Sequence, residues 1–113
     1  MTAAQFRAMA LALPGASEAS HHGHPDFRVA GKVFATLDWP ARGWGMVRLR
    51  PEDQDHFVRA APATFSPVRG TWGRQGCTSV KLRSARVGVL RPAIEAAWHR
   101  HAPARLRAAL DRP

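Results

Sequence analysis

Apolar residues at Phe6, Met9, Ala10 and Leu13 recur at i, i+3, i+4 and i+7, which gathers them on one face of a helix. Thr2 suits the capping position before it, and Pro14-Gly15 stops it. A polar stretch follows. From Asp26 the period changes to two: Phe27 and Val29, then Val33, Ala35 and Leu37, alternate with polar neighbours. Asp26 to Ala30 and Lys32 to Trp39 therefore read as a hairpin around Ala30-Gly31. After a turn-rich loop from Pro40 to Gly45, Met46 to Leu49 reads as a third strand, with Arg48 and Arg50 opposite Val47 and Leu49.

Pro51 with Glu52, Asp53 and Asp55 marks a helix start, because proline suits the first helical position and carboxylates favour the positive end of the helix dipole. That helix runs to about Ala61, with Phe57 and Val58 toward the core and His56 and Arg59 away from it. Phe65 to Arg69 is an edge strand, since Pro67 has no N–H to give a ladder. Gly70 to Gly76 is a loop with three glycines. Thr78 to Leu82 is a one-sided strand, Val80 and Leu82 opposing Lys81 and Arg83. Pro92 opens the last helix, whose apolar stripe is Ala93, Ile94, Ala97 and Trp98, with His99, Arg100 and His101 at its carbonyl end. Arg105 to Leu110 extends it past Pro103. The order is that of a single α+β domain over residues 1–113: an antiparallel sheet of about five to six strands, helices on one face, the other face free to meet solvent.

Charge sharpens this picture. Residues 1–55 hold six bases and six acids, whereas residues 56–113 hold eleven bases against Glu95 and Asp111 alone and carry the whole +9. Fifteen of the seventeen bases are arginine, as a GC-rich coding sequence produces, but that pressure does not explain the missing acids. The asymmetry points to a basic surface that attracts polyanions. The longest apolar run falls far short of the roughly 20 residues a bilayer needs, and no signal-like segment opens the chain, so a cytoplasmic protein is expected. A lone cysteine, Cys77, allows no internal disulfide and reads as a half-buried strand residue.

Candidate chemistry is sparse. No GxSxG, HExxH, P-loop or paired-cysteine signature occurs, and the GxxxxG run from Gly70 lacks the Lys-Ser/Thr a P-loop needs, so no enzyme and no cofactor are expected. His21, His22 and His24 invite a metal, with His22, His24 and Asp26 sharing a strand face, yet no cysteine or helically spaced glutamate completes a known framework, and no metal site is assigned. The stretch Arg69 to Gly76 is the most suggestive. Its glycines let a backbone approach phosphates, Arg69 and Arg74 can donate to them, and Trp72 can stack on a base; the plain alternative is a hairpin turn with Trp72 folded back over the core.

Several strings in sequence resemble the MmcQ/YjbR family: Ala12-Leu13-Pro14-Gly15, His24 to Val29, Gly31 to Ala35, Leu49-Arg50-Pro51-Glu52, Thr78 to Leu82 and Ala97-Trp98. The resemblance runs over most of the chain and implies a frataxin-like α+β fold and DNA binding through a double wing of hairpins, without enzymatic activity. The Gly70 to Gly76 loop and the three histidines depart from the family pattern. On this reading Lys32 tips one wing, Arg69, Trp72 and Arg74 the other, and Arg48, Lys81 and Arg83 form a basic floor between them, meeting DNA with weak sequence preference. The competing class is a protein-interaction or small-ligand domain, in which the exposed sheet face and Trp39, Trp44 and Trp72 form a docking patch. Iron handling, suggested only by the frataxin-like fold, wants an acidic ridge that is missing.

Overall fold

Thr2 opens the first helix by a reciprocal cap, its hydroxyl accepting from the Gln5 backbone N–H while the Gln5 side chain accepts from that of Thr2. In a computed structural model that describes residues 1–111, this helix α1 spans Ala3–Leu11 and is followed by β1 (Ala16–His21), β2 (His24–Val29), β3 (Lys32–Leu37) and β4 (Trp44–Arg48). Then come α2 (Pro51–Ala60), β5 (Phe65–Pro67), α3 (Thr71–Arg74), β6 (Cys77–Lys81), a 3-10 turn at Leu82–Ser84, α4 (Val87–His101) and α5 (Ala104–Asp111). The architecture is α+β, with helices packed against a six-stranded sheet in the order β1-β2-β3-β4-β6-β5, every pair antiparallel.

The register sorts the side chains into two faces. Phe27, Ala35, Val47 and Thr78 are partners along one row, and Phe27, Ala35 and Val47 join the core with Phe6, Leu90, Ile94 and Trp98 from α1 and α4. The neighbouring row is Ala19, Asp26, Thr36, Met46, Ser79 and Ser66, which faces away from α4 and is too polar to take a helix layer. Trp98 is fully buried and donates its indole N–H to the Pro14 carbonyl 2.9 Å away, tying α4 to the end of α1.

Several boundaries differ from the expected ones. The polar stretch after Gly15 is a strand, β1: it is an outer strand with mostly exposed side chains, so no apolar alternation announces it. His22-Gly23 is its turn, at φ +50° and +78°, as Ala30-Gly31 is the next turn at the same values, the pattern of two-residue hairpins. The histidines thus straddle a turn, and the expected shared face of His22 and His24 is not formed. β4 starts at Trp44, two residues before the expected Met46, and β5 stops at Pro67 short of Arg69. Thr71–Arg74 is a helical turn within the glycine-rich stretch, not a hairpin tip. Arg83 lies in the 3-10 turn beyond β6. Helix α4 begins at Val87 and carries Pro92 inside it, because burial of Leu90, Ala93, Ile94, Ala97 and Trp98 outweighs the one N–H that proline withholds. No described helix is long and apolar enough to cross a membrane.

Candidate functional site

At the end of the sheet where β4 leaves and β6 enters, the two backbones touch. A Cβ on Gly76 would lie 1.7 Å from the Leu49 carbonyl oxygen, and Gly76 has φ +109°, so only glycine fits there. The Leu49 N–H donates to the Gly76 carbonyl at 3.1 Å. Arg100, from the last turn of α4, donates through Nη1 to the carbonyls of both Leu49 and Gln75. A similar approach holds α3: a Cβ on Gly73 would lie 1.6 Å from the Val68 carbonyl oxygen, and Gln54 of α2 donates to the carbonyls of Gly73 and Cys77. The turn that carries Trp72 is thereby pinned from below.

Pinned in this way, Trp72 stands outward with 57% of its surface exposed, which corrects the alternative of a core lid. The Arg48 guanidinium carbon lies 5.8 Å from its ring centroid, a cation–π distance. Arg48, Trp72, Gln75, Cys77, Arg100 and His101 line a cleft of about 270 Å³. It continues over the face away from α4 into a notch of about 20 Å³, which His21, Thr36, Trp39, Met46 and Val68 share with Arg48, Trp72 and Cys77. Two buried polar atoms at this notch, Thr36 Oγ1 and Arg48 Nε, have no hydrogen-bond partner.

Electrostatics favour an anion and disfavour a nucleophile. Burial pushes the Cys77 thiol up, against the opposing pull of Arg48 and Arg100. Burial, with Arg100, Arg48 and Lys32 nearby, lowers the His101 pKa, and its Nδ1–H donates to the Ala97 carbonyl at 2.8 Å. His101 is therefore neutral at pH 7, with Nε2 as the unprotonated nitrogen. Among the described residues, the bases within 4.0 Å of a carboxylate are Arg7, His21, Arg28, Arg50 and Arg59, so Arg59 alone of the bases after residue 55 is neutralised by a direct ion pair.

Of the residues expected to meet a polyanion, Arg48 and Trp72 are in contact, and Arg69 and Arg74 flank Trp72 in the chain, both exposed. Arg74 donates to the Thr71 hydroxyl at 3.0 Å. Lys32, exposed at the start of β3, lies at this same end of the sheet. Lys81 pairs in register with Trp44 at the opposite end, and Arg83 lines a separate depression with Met1, Asp38 and Arg42. The expected basic floor of Arg48, Lys81 and Arg83 is thus split between two ends of the sheet. The three-tryptophan patch is split too: Trp39 and Trp72 share the notch, whereas Trp44 lies beside Lys81. Sequence reasoning placed Arg100 and His101 only at the carbonyl end of the last helix and missed their part here; their signal was the run His99-Arg100-His101 at that helix's end. His21 is engaged by Asp26 and His24 by the Asp38 carbonyl, and among the described residues no three His, Cys, Asp or Glu side chains converge to hold a metal.

Compared with protein-family models, residues 11–100 match the one described as YjbR. The crystal structure of the Deinococcus radiodurans protein DR2400, which carries the family-model domain DUF419, is similar over 99% of this chain and 89% of that chain, with a TM-score of 0.72 and 16% sequence identity. At that identity the likeness is one of fold. No curated protein matches the chain.

Proposed function

The chain belongs to the YjbR family, and from that premise we propose that it is a non-enzymatic nucleic-acid-binding module holding DNA by phosphate contacts at the Trp72 end of its sheet. The observation that carries this reading is the exposed Trp72 ring against Arg48, with Arg100 on the same cleft and Arg69 and Arg74 near it in the chain, none of the four within 4.0 Å of a described carboxylate. Arg69 and Arg74 beside it, Lys32 across the sheet end and Arg100 at the close of α4 supply positive charge that phosphates neutralise. Such contacts position a strand without reading its sequence. No catalytic role is assigned to Cys77, whose thiolate form burial disfavours.

Titration of a labelled random-sequence duplex at several salt concentrations tests the reading. Neutralising about five phosphates gives log K a slope near −4.5 against log salt. No binding at low salt overturns it. A protein partner is the second reading, favoured by Trp39 and Trp72 lying together at the notch; it predicts capture that salt weakens little.

A further inference from the structure

Resting on the nucleic-acid reading, we infer that the cleft beneath Trp72 holds one unpaired nucleotide, so that single-stranded DNA is the preferred form. Three observations converge on this. Trp72 is an outward-facing ring, on a turn held close to the Val68 carbonyl through Gly73, of the kind on which a base stacks whatever its sequence, and a base can offer its face only when it is out of a duplex stack. The cleft beside it, about 270 Å³, falls just below the roughly 300 to 1,000 Å³ typical of small-molecule sites, so one nucleotide unit suits it and a double helix does not enter.

The third observation is the pair of orphaned polar atoms. Thr36 is 1% exposed, and its hydroxyl and the Arg48 Nε–H are both out of contact with solvent and unbonded. Buried polar groups are nearly always partnered, so an orphan at the wall of a cleft marks where a ligand atom or a water belongs. Arg48 Nε can only donate, so its partner is an acceptor: a base carbonyl or a phosphate oxygen. The notch that Thr36 and Arg48 line has room for one such atom, about 20 Å³, and binding requires a small turn of the Arg48 side chain to bring Nε to it. Outside it, Arg100 and Gln75 line the wider part of the cleft, where the next phosphate would sit.

The experiment compares a ten-nucleotide single strand, a duplex with the same number of phosphates, and the single strand with every base replaced by an abasic site, by fluorescence anisotropy at low salt. The native strand is expected to bind at least tenfold more tightly than the other two. Trp72→Ala, at an exposed position that leaves the core intact, should cost the strand about tenfold and the duplex nothing comparable. Equal binding of strand and duplex, or of native and abasic strands, overturns the inference while leaving phosphate binding in place. Binding of none overturns the nucleic-acid reading together with it. Thymidine 5′-monophosphate separates two sources of the same chemistry: competition at micromolar concentration assigns the cleft to a free nucleotide, and competition only at millimolar concentration assigns it to the strand.

Discussion

His21 Nδ1 lies 2.6 Å from Asp26 Oδ2 across the β1–β2 pair, and the carboxylate it meets has no exposed surface. Asp26 also accepts from Arg28, at 2.7 Å from Nε and 3.0 Å from Nη2. The bonds from Arg28 are the largest cause holding its pKa below the ordinary aspartate value, against the opposing effect of burial. A carboxylate with a lowered folded pKa stabilises the fold above its unfolded pKa of about 3.9, and that contribution disappears as pH falls through the lower folded value. Asp26→Asn should therefore lower stability at pH 7 by about 1.5 to 3 kcal/mol. The gap from wild type should narrow below pH 4. Urea midpoints across pH 2.5 to 7 check this, and a gap that stays constant removes the linkage.

The close approach of Gly76 to Leu49 makes a second, sharper demand. Alanine there meets both a positive φ and a carbonyl oxygen 1.7 Å from its Cβ, so Gly76→Ala should cost more than about 3 kcal/mol and free Arg100 from Gln75. Gly23, at φ +78° with nothing within 4 Å of a Cβ, is the control; alanine there should cost only about 1 to 2 kcal/mol. Equal urea midpoints for the two variants would show that the β4–β6 contact tolerates a side chain.

What the sequence revealed followed from how local each signal is. Phe27 and Val29, and Ala35 and Leu37, alternate because β2 and β3 bury one face, and the Ala30-Gly31 turn between them is encoded by two adjacent residues; a register shift at Phe27/Arg28 puts Phe34 in the core in place of the expected Val33, which alternation alone does not show. Strand β1 carried no such mark, since Ser17, Glu18, Ala19 and Ser20 are exposed and its place comes from pairing with β2. Pro92 misled for a related reason: its intrinsic preference for a helix start is outweighed by the buried stripe on both sides of it. The site was legible only in pieces. Arg48 and Trp72 could be named individually, but their contact depends on β4 pairing with β6 across α2, β5 and α3, and neither spacing nor composition encodes that pairing. The same pairing sends Lys81 to the far end.

That separation yields a test of which cations matter. Arg69→Ala and Arg74→Ala, beside Trp72, should weaken duplex binding to the same degree whatever the sequence, each reducing the salt slope by about 0.9 if it removes one phosphate contact. Lys81→Ala and Arg83→Ala remove the same charge at the opposite end and should leave the slope unchanged. Affinities measured over a range of salt decide it; four equal effects would mean that overall charge, not the Trp72 end, attracts the polyanion.

Thr36 offers the most discriminating substitution, because its role in the fold and its proposed role in binding oppose each other. Its side chain is 1% exposed and its hydroxyl unbonded, so the free protein carries the desolvation cost of a polar group without return. Valine keeps the branched shape between Asp26 and Met46, its register partners on β2 and β4, and replaces the hydroxyl with a methyl group. Thr36→Val should raise stability by about 1 kcal/mol, read from the urea midpoint at constant m-value. If the hydroxyl bonds a nucleotide in the notch, the same change should weaken single-strand binding about threefold to tenfold and leave duplex binding alone. A site retained for binding shows both effects together, as expected where function is kept at the expense of stability. Stability unchanged by valine would mean that a water already satisfies the hydroxyl. Greater stability with unchanged strand affinity would mean that the notch takes no part in binding, and the base would then rest on Trp72 alone.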